Sequence, residues 1–485
     1  MASRIASPVS GLFIDGDWVS GQRPTRPVVN PATEQELGEI PCASVQDVND
    51  ACEAAALAFR KWSAQPAAKR AAVLAGAARL LAGRANDIAL RLTLCQGKRL
   101  AEAQAEVADA VELLEWAGSE ARRLFGRIIP SPDAGVDLKV IRQPLGVVAV
   151  LTPWNFPIGE VVTHCAAALA AGCTVVLKPA EETPWPALDF AAALQEAGLP
   201  DGILNVVTGN PKETADALLS NKNVAAVAFT GSVEVGQHIA SMAGRSLLPT
   251  VLELGGNAPV IVADDYDPVS AAKVLFARKL RNAGQVCTSP SRFFVPEAHV
   301  SRFVETMAAL AEATVIGPGI DPATTLGPLA NERRMKAMTR FIDDARASGA
   351  TVAFGGQAAR DRGYFWQPTI LTDIPQQAAV AREEIFGPII PVFGYRTVDE
   401  AVELANSVPV GLSGYAFTNN VALRERLERE LQVGTLSINH VVAQFIEAPF
   451  GGMKETGYGR VGGSEGVTAY TRTKLISTAL QGAGY

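Results

Sequence analysis

The stretch GVVAVLTPWNFPIGEVVTHCAAALAAGCTVVLKP, Gly146 to Pro179, decides the fold. GVVAVL (Gly146 to Leu151) is a short apolar run, PWNFP follows it, and an alanine-rich helix is expected to about Ala171. CTVVLKP (Cys173 to Pro179) is then a second apolar run, so the order is strand, helix, strand. The alternation continues downstream. A helix covers about Pro184 to Ala197, ILNVV (Ile203 to Val207) is a strand, a helix lies near Lys212 to Leu219, and VAAVAFT (Val224 to Thr230) is a strand. Strands alternating with helices of this length predict a parallel, doubly wound α/β sheet. Its ligand crevice belongs at the carboxyl ends of the strands.

After LELGGNAPVIV (Leu252 to Val262) a second α/β alternation runs to about Asn439. Upstream, Asp47 to Ala121 is alanine-rich with charges at helical spacing, which predicts two or three amphipathic helices. Between these regions, RIIPSPDAGVDLKVIRQPLG (Arg127 to Gly146) carries β-branched runs on either side of a Pro-Asp-Ala-Gly turn and reads as a hairpin. The length of 485 residues fits two or three domains at roughly 150 residues each.

Composition narrows the function classes. Apolar residues make up 48% of the chain, charged residues 19%, and the net charge is −7. With no long basic run, nothing points to nucleic acid or an anionic membrane surface. The six cysteines form no CxxC pair and the four histidines are scattered, so neither a disulfide framework nor a metal site is expected. No apolar h-region precedes the first acidic residues, and no apolar run reaches a bilayer span. A cytoplasmic location is the expectation.

Several motifs sit where chemistry belongs. FTGSVEVG (Phe229 to Gly236) follows a strand and opens a helix, so its backbone N–H groups suit a phosphate, although GxGxxG is absent and an ordinary turn explains Gly231 equally. KPAEETP (Lys178 to Pro184) places Lys178 and Glu181 at a strand end, beside a nucleotide ribose or in a solvated loop. In TPWNFP (Thr152 to Pro157), prolines stiffen both sides of Asn155, which suits an oxyanion donor or a helix cap. LELGG (Leu252 to Gly256) sets Glu253 in an apolar run, where a carboxyl acquires the raised pKa of a general base or caps a nearby backbone. RNAGQVCTSPSRFFV (Arg281 to Val295) holds Cys287 in a loop, as a nucleophile or a small buried hydrophobe. EEIFGP (Glu383 to Pro388) and PFGG (Pro449 to Gly452) read as turns with a packed phenylalanine.

In this order, PWNFP, KPAEETP, FTGS, LELGG, GQVC, EEIFGP and PFGG together resemble the aldehyde dehydrogenase superfamily. The likeness runs from IDGDWV and VVNPAT to TAYTRTK, essentially the whole chain. It implies a Rossmann-like nucleotide domain (1–126 and 146–254), a second α/β catalytic domain (255–450) and β-hairpin oligomerisation elements (127–145 and 467–485). It implies Cys287 as the nucleophile that forms a thiohemiacetal and then a thioester. The Asn155 amide and the Cys287 backbone N–H would hold the oxyanion, and Glu253 would activate the hydrolytic water. On the cofactor side, the resemblance implies Lys178 and Glu181 at the adenine ribose, Gly231 and Ser232 at the pyrophosphate, and Glu384 and Phe386 at the nicotinamide ribose. Thr152 and Trp154 would lie alongside. Glu181 favours NAD, since a carboxylate repels a 2′-phosphate, while Lys178 leaves room for NADP. A base at position 253 favours hydrolysis over transfer to coenzyme A.

RNAGQVCTSPSRF, PVGLSGYAFT and KETGYGRVGGSEG look most like dehydrogenases of succinate semialdehyde and 2-oxoglutarate semialdehyde. Such enzymes usually carry an arginine on the helix after PWNFP. Here Thr163 stands there with Glu160 nearby, which argues against a strongly anionic substrate. An aminoaldehyde or an aromatic aldehyde is the alternative, and a non-catalytic binding or structural protein with this fold is the alternative from another class. The second departure is Val461, where many relatives carry a glutamate in a proton path with Glu253 and Lys178. Gln444, Phe445 and Phe450, in INHVVAQFIEAPF (Ile438 to Phe450), are expected at the substrate mouth. The partners expected are a small-molecule aldehyde and further copies of the chain, as a homodimer or homotetramer.

Overall fold

The structure is a computed structural model and describes residues 11–479. The first residues of the chain and the end of the element expected at 467–485 lie outside the described residues. Five parallel strands form the middle of an eight-stranded sheet. Val147–Leu151 lies at its centre, with Thr174–Lys178 and then Leu204–Val206 to one side. Val224–Gly231 and then Thr250–Leu254 lie to the other. This strand order has its switch point between Val147–Leu151 and Val224–Gly231, where a crevice must open at the carboxyl ends. Every residue of Val147–Leu151 and Thr174–Lys178 is buried, so these strands read as unbroken apolar runs.

Helices cover the sheet. Gly159–Ala171, Trp185–Glu196, Pro211–Ser220 and Val233–Arg245 stand where the alternation places them. The alanine-rich region forms four helices rather than two or three: Val45–Ser63, Ala67–Gly83, Ala85–Gln96 and Leu100–Ala121. Pro66, Gly83 and Gly97 stand at the three breaks, and Gly83 is the weakest signal of the three because a lone glycine is also tolerated inside a helix.

The chain leaves the first sheet after Leu254 and enters a seven-stranded sheet at Ala258–Val262. Around that strand lie Pro290–Pro296, Ile389–Tyr395 and Thr369–Thr372 on one side, Ser413–Phe417 and Thr435–Ile438 on the other, all parallel. A Cβ on Gly255 would sit 2.2 Å from a Glu384 oxygen. The predicted hairpin is present as Arg127–Ile129 against Val136–Pro144, and Thr471–Ala479 adds a third antiparallel strand. Ile128 and Leu475 on this small sheet are exposed.

Candidate active site

A cleft of about 980 Å³ lies between the two sheets, at the carboxyl ends of the first. Its wall brings together Cys287, Glu253, Asn155, Lys178, Thr152, Trp154, Glu181, Gly231, Ser232, Glu384, Phe386, Glu160, Gln444 and Phe450. Two expected residues are not on it. The Thr163 hydroxyl turns back to donate to the Gly159 carbonyl at 2.8 Å, as a threonine inside a helix commonly does. Phe445 is 54% exposed, with its ring 6.4 Å from that of His440.

The loop before Cys287 is held by buried polar groups. Asn282 and Ala283 adopt left-handed backbone, with φ of 50° and 53°. For alanine this conformation costs roughly 1 kcal/mol and persists only where neighbours enforce it. The Asn282 N–H donates to Glu102 at 3.0 Å, and its side-chain amide donates to the carbonyls of Asn155 and Gln285. Gln285 in turn accepts from the Ala330 N–H at 2.9 Å.

Asn155 is clamped from behind. Lys98 Nζ donates to the Asn155 carbonyl at 2.7 Å and to Glu106 at 2.5 Å. The other Glu106 oxygen accepts from Ile158 and Gly159 N–H, where the following helix starts. Lys98 is 2% exposed and Glu106 1%. One N–H of the Asn155 amide donates to the Gln285 carbonyl at 3.2 Å, and the amide has a second N–H to offer the cleft.

Glu253, next to last in its strand Thr250–Leu254, lies against Gly451, where a Cβ would be 2.7 Å from the carboxylate. Neither Glu253 oxygen has a hydrogen-bond partner. Burial holds its pKa well above the carboxyl range, the Glu160 charge adds to this, and Arg460 opposes it. Cys287 is likewise pushed up by burial, then by Glu160, Glu384 and Glu253, with Arg278 opposing. Glu253 and Cys287 line the same cleft; a carboxyl with raised pKa suits a general base, and a thiol that burial keeps protonated needs one before it can react.

At the other end of the cleft, Ser232 caps the helix Val233–Arg245 by accepting from Val235 N–H at 3.4 Å, and the first-turn N–H groups favour an anion there. Lys178 donates to the Pro179 carbonyl at 3.0 Å and pairs with Glu181 at 3.4 Å. Lys178 is thus committed away from Glu253. Trp154 and Phe386 meet edge to face with ring centres 5.4 Å apart. Phe386 has φ of 49°, another left-handed residue at the site. Glu384 accepts from Gly256 N–H at 3.2 Å, and burial pushes its pKa up to about 7. A phosphate-binding helix start, a carboxylate at a strand end and an aromatic pair beside the thiol fit a nicotinamide dinucleotide.

Lys98, Glu102 and Glu106 lie outside the motifs, whereas Asn282 and Gln285 lie within RNAGQVC. One signal points to Glu106. Ala103, Val107, Ala110 and Leu114 mark the buried stripe of Leu100–Ala121, and Glu106 falls on it.

A sequence profile described as Aldehyde dehydrogenase family matches residues 18–476. The succinate-semialdehyde dehydrogenase GabD of Escherichia coli, whose name specifies NADP(+), is 38% identical, over 96% of this chain and 97% of that protein. The 3-sulfolactaldehyde dehydrogenase of Pseudomonas putida is 38% identical, over 96% of each chain. The crystal structure of succinate-semialdehyde dehydrogenase from Burkholderia pseudomallei superposes with a TM-score of 0.96 at 38% identity, covering 99% of both chains.

Proposed function

The chain belongs to the aldehyde dehydrogenase family, and on that footing we propose that it oxidises an aldehyde to the carboxylate through a thiohemiacetal and a thioester on Cys287. The observation that carries this is the convergence of Cys287, Asn155 and Glu253 on one cleft wall from three distant segments. Glu253 takes the thiol proton, and sulfur bonds to the aldehyde carbon. The free Asn155 N–H and the Cys287 backbone N–H hold the oxyanion where charge develops. When bound, NAD supplies the hydride acceptor and a positively charged ring beside the sulfur. Glu253 passes the thiol proton to solvent and, again a carboxylate, removes a proton from the water that hydrolyses the thioester.

Glu181 beside Lys178 supports NAD over NADP. Likeness to succinate-semialdehyde dehydrogenases supports a semialdehyde such as succinate semialdehyde as substrate. Glu160 on the cleft wall favours a second reading, an aminoaldehyde or aromatic aldehyde. The reducing cytoplasm suits a reaction that needs a free thiol, and Cys287 is unpaired. The exposed edge strand Thr471–Ala479 supports pairing of subunits into a dimer or tetramer.

The test is NADH formation with succinate semialdehyde, 2-oxoglutarate semialdehyde, an aminoaldehyde and an aromatic aldehyde. The expected order in kcat/KM puts a semialdehyde first, and Cys287→Ser abolishes turnover on all four. A serine variant that makes NADH at the unmodified rate would sink the mechanism. An amino or aromatic aldehyde preferred by a wide margin would sink only the substrate.

A further inference from the structure

Glu160 has a polar chain behind it that the chemistry above does not use. The Thr230 hydroxyl, at the end of its strand, lies 3.1 Å from Glu160 Oε2 and 2.7 Å from His164 Nε2. His164 Nδ1 lies 3.1 Å from the Tyr470 hydroxyl. His164 is 0% exposed and Tyr470 2%. A hydroxyl carries one proton and a carboxylate only accepts, so Thr230 donates to Glu160 and accepts from Nε2–H. Nδ1 then carries no proton and accepts from Tyr470. The chain runs one way, Tyr470 to His164 to Thr230 to Glu160, with the imidazole neutral throughout. Burial agrees with that state, pushing the His164 pKa down to about 4.

At the cleft end, Glu160 shares the wall with Glu253, Cys287 and Val461. A base that strips a proton from water must shed it before the next turnover. Glu253 is 4% exposed with both oxygens unpartnered, and the neighbouring Val461 carries no proton. The Glu160 side chain is 21% exposed, so its carboxyl has the better access to solvent. Burial, with Glu106 adding and Thr230 opposing, lifts its pKa to about 7, where both protonation states are populated.

We propose that Glu160 is the proton partner of Glu253 during thioester hydrolysis, held for that exchange by the Thr230–His164–Tyr470 chain. The proposal rests on the hydrolytic reading above. The water oxygen bonds to the thioester carbon as one O–H bond breaks, and that proton goes to Glu253. The tetrahedral adduct collapses, the C–S bond breaks, and its electron pair returns to sulfur. The proton then passes through water from Glu253 to Glu160, and on to solvent as the carboxylate product leaves. Glu160 is the catalytic residue in this exchange. Thr230, His164 and Tyr470 are positioning residues. The charged groups around the pair are Glu106 beside Glu160, Arg460 beside Glu253, and Glu384 and Arg278 around Cys287.

The experiment compares the unmodified protein with Glu160→Gln, Glu160→Asp and Tyr470→Phe. One probe is propanal with NAD, which gives Glu160 no charge to repel. The other is p-nitrophenyl acetate without NAD, which acylates Cys287 directly. With Glu160→Gln, the first-turnover burst should persist while steady-state kcat falls about 10- to 100-fold, the scale of one proton-transfer group. Acetyl-enzyme should accumulate in the intact mass, and the acid limb of kcat should move to lower pH because Glu253 has lost its negative neighbour. Glu160→Asp should restore part of the rate. Tyr470→Phe should lower kcat by a smaller factor at unchanged KM. An unchanged kcat and pH limb in a folded Glu160→Gln protein would overturn the proposal, as would loss of the burst in proportion to the steady state. If the unmodified protein forms no carboxylate from propanal with NAD and releases no acetate from p-nitrophenyl acetate, the hydrolytic reading fails and takes this one with it.

Discussion

At the cofactor end of the cleft, Lys178 and Gly231 are the last residues of two strands, and Glu181 and Ser232 follow within a few positions. At the reaction end, the Asn155 amide is tied to a carbonyl 130 residues away, and the Cys287 loop is pinned by a carboxylate 180 residues away. The first arrangement is local, since the strand order of the sheet delivers its residues to one crevice. The second is assembled from distant helices and loops, and its accuracy resides in buried polar groups that touch no substrate. A cofactor held along its length by many contacts tolerates small shifts in any one of them. An oxyanion donor displaced by 1 Å loses much of its effect.

The sharpest way to break that comparison is to cut the clamp behind Asn155. Lys98→Met leaves the Glu106 carboxylate buried without its ammonium, which should cost about 3–5 kcal/mol of stability. The freed Asn155 carbonyl should let the oxyanion donor drift and lower kcat about 10²-fold, with little change in the affinity for NAD. Replacing both partners, Lys98→Met with Glu106→Leu, should recover much of the stability because no lone charge remains. Urea melts, NAD titration and kcat on one aldehyde separate these effects. If Lys98→Met weakened NAD binding as strongly as it lowered kcat, the two ends would not be built independently.

The same contrast explains which features are legible in the amino-acid sequence. The doubly wound sheet is legible because strands buried on both faces print as apolar runs, as in Val147–Leu151 and Thr174–Lys178. The hairpin at Arg127 is legible because its turn chemistry is local. The break between helices at Gly83 and Arg84 is legible only in part, since the same run holds Gly76 inside the helix and a lone glycine does not say which it does. Along the cleft, motif likeness selects the residues facing the cavity but not their support. Lys98 and Glu102 are ordinary polar residues outside the motifs, and Asn282 sits inside one with nothing to mark it as a support; only their meeting in the fold makes them a scaffold. Motif position puts Thr163 on the cleft wall, but its hydroxyl is spent on its own helix. Neither the likeness nor the helix period reports which way a side chain turns.

A smaller effect tests whether the polar chain behind Glu160 belongs to the rigid end. His164 is buried neutral, with a folded pKa near 4 against an ordinary value of 6.5. Between those values the unfolded chain binds more protons than the folded one, so stability is full above pH 6.5 and is lost as pH falls toward 4. His164→Gln cannot gain a charge. Relative to the unmodified protein it should therefore improve by about 2 kcal/mol between pH 7.5 and pH 4.5, whatever its starting deficit. Groups shared by both proteins cancel in this difference. Parallel stability curves across that range would show that His164 is solvated on acidification and that the chain opens easily.

The smallest expected change in activity lies at the cofactor end, where a substitution should shift the choice between two nucleotides. Glu181 is paired only with Lys178, at 3.4 Å, and stands at the strand end where a ribose would lie. Glu181→Ser removes the charge that repels a 2′-phosphate and frees the Lys178 ammonium to meet it. The ratio of kcat/KM for NADP over NAD should rise about 10-fold, equivalent to about 1.4 kcal/mol. Because the effect is a charge effect at a partly solvated site, the gain should shrink as ionic strength is raised from about 0.01 M to 1 M. Stability should fall by about 1–3 kcal/mol, since the buried Lys178 ammonium loses its carboxylate and keeps only the Pro179 carbonyl. A ratio that does not move would place the discriminating contact elsewhere on the cleft wall.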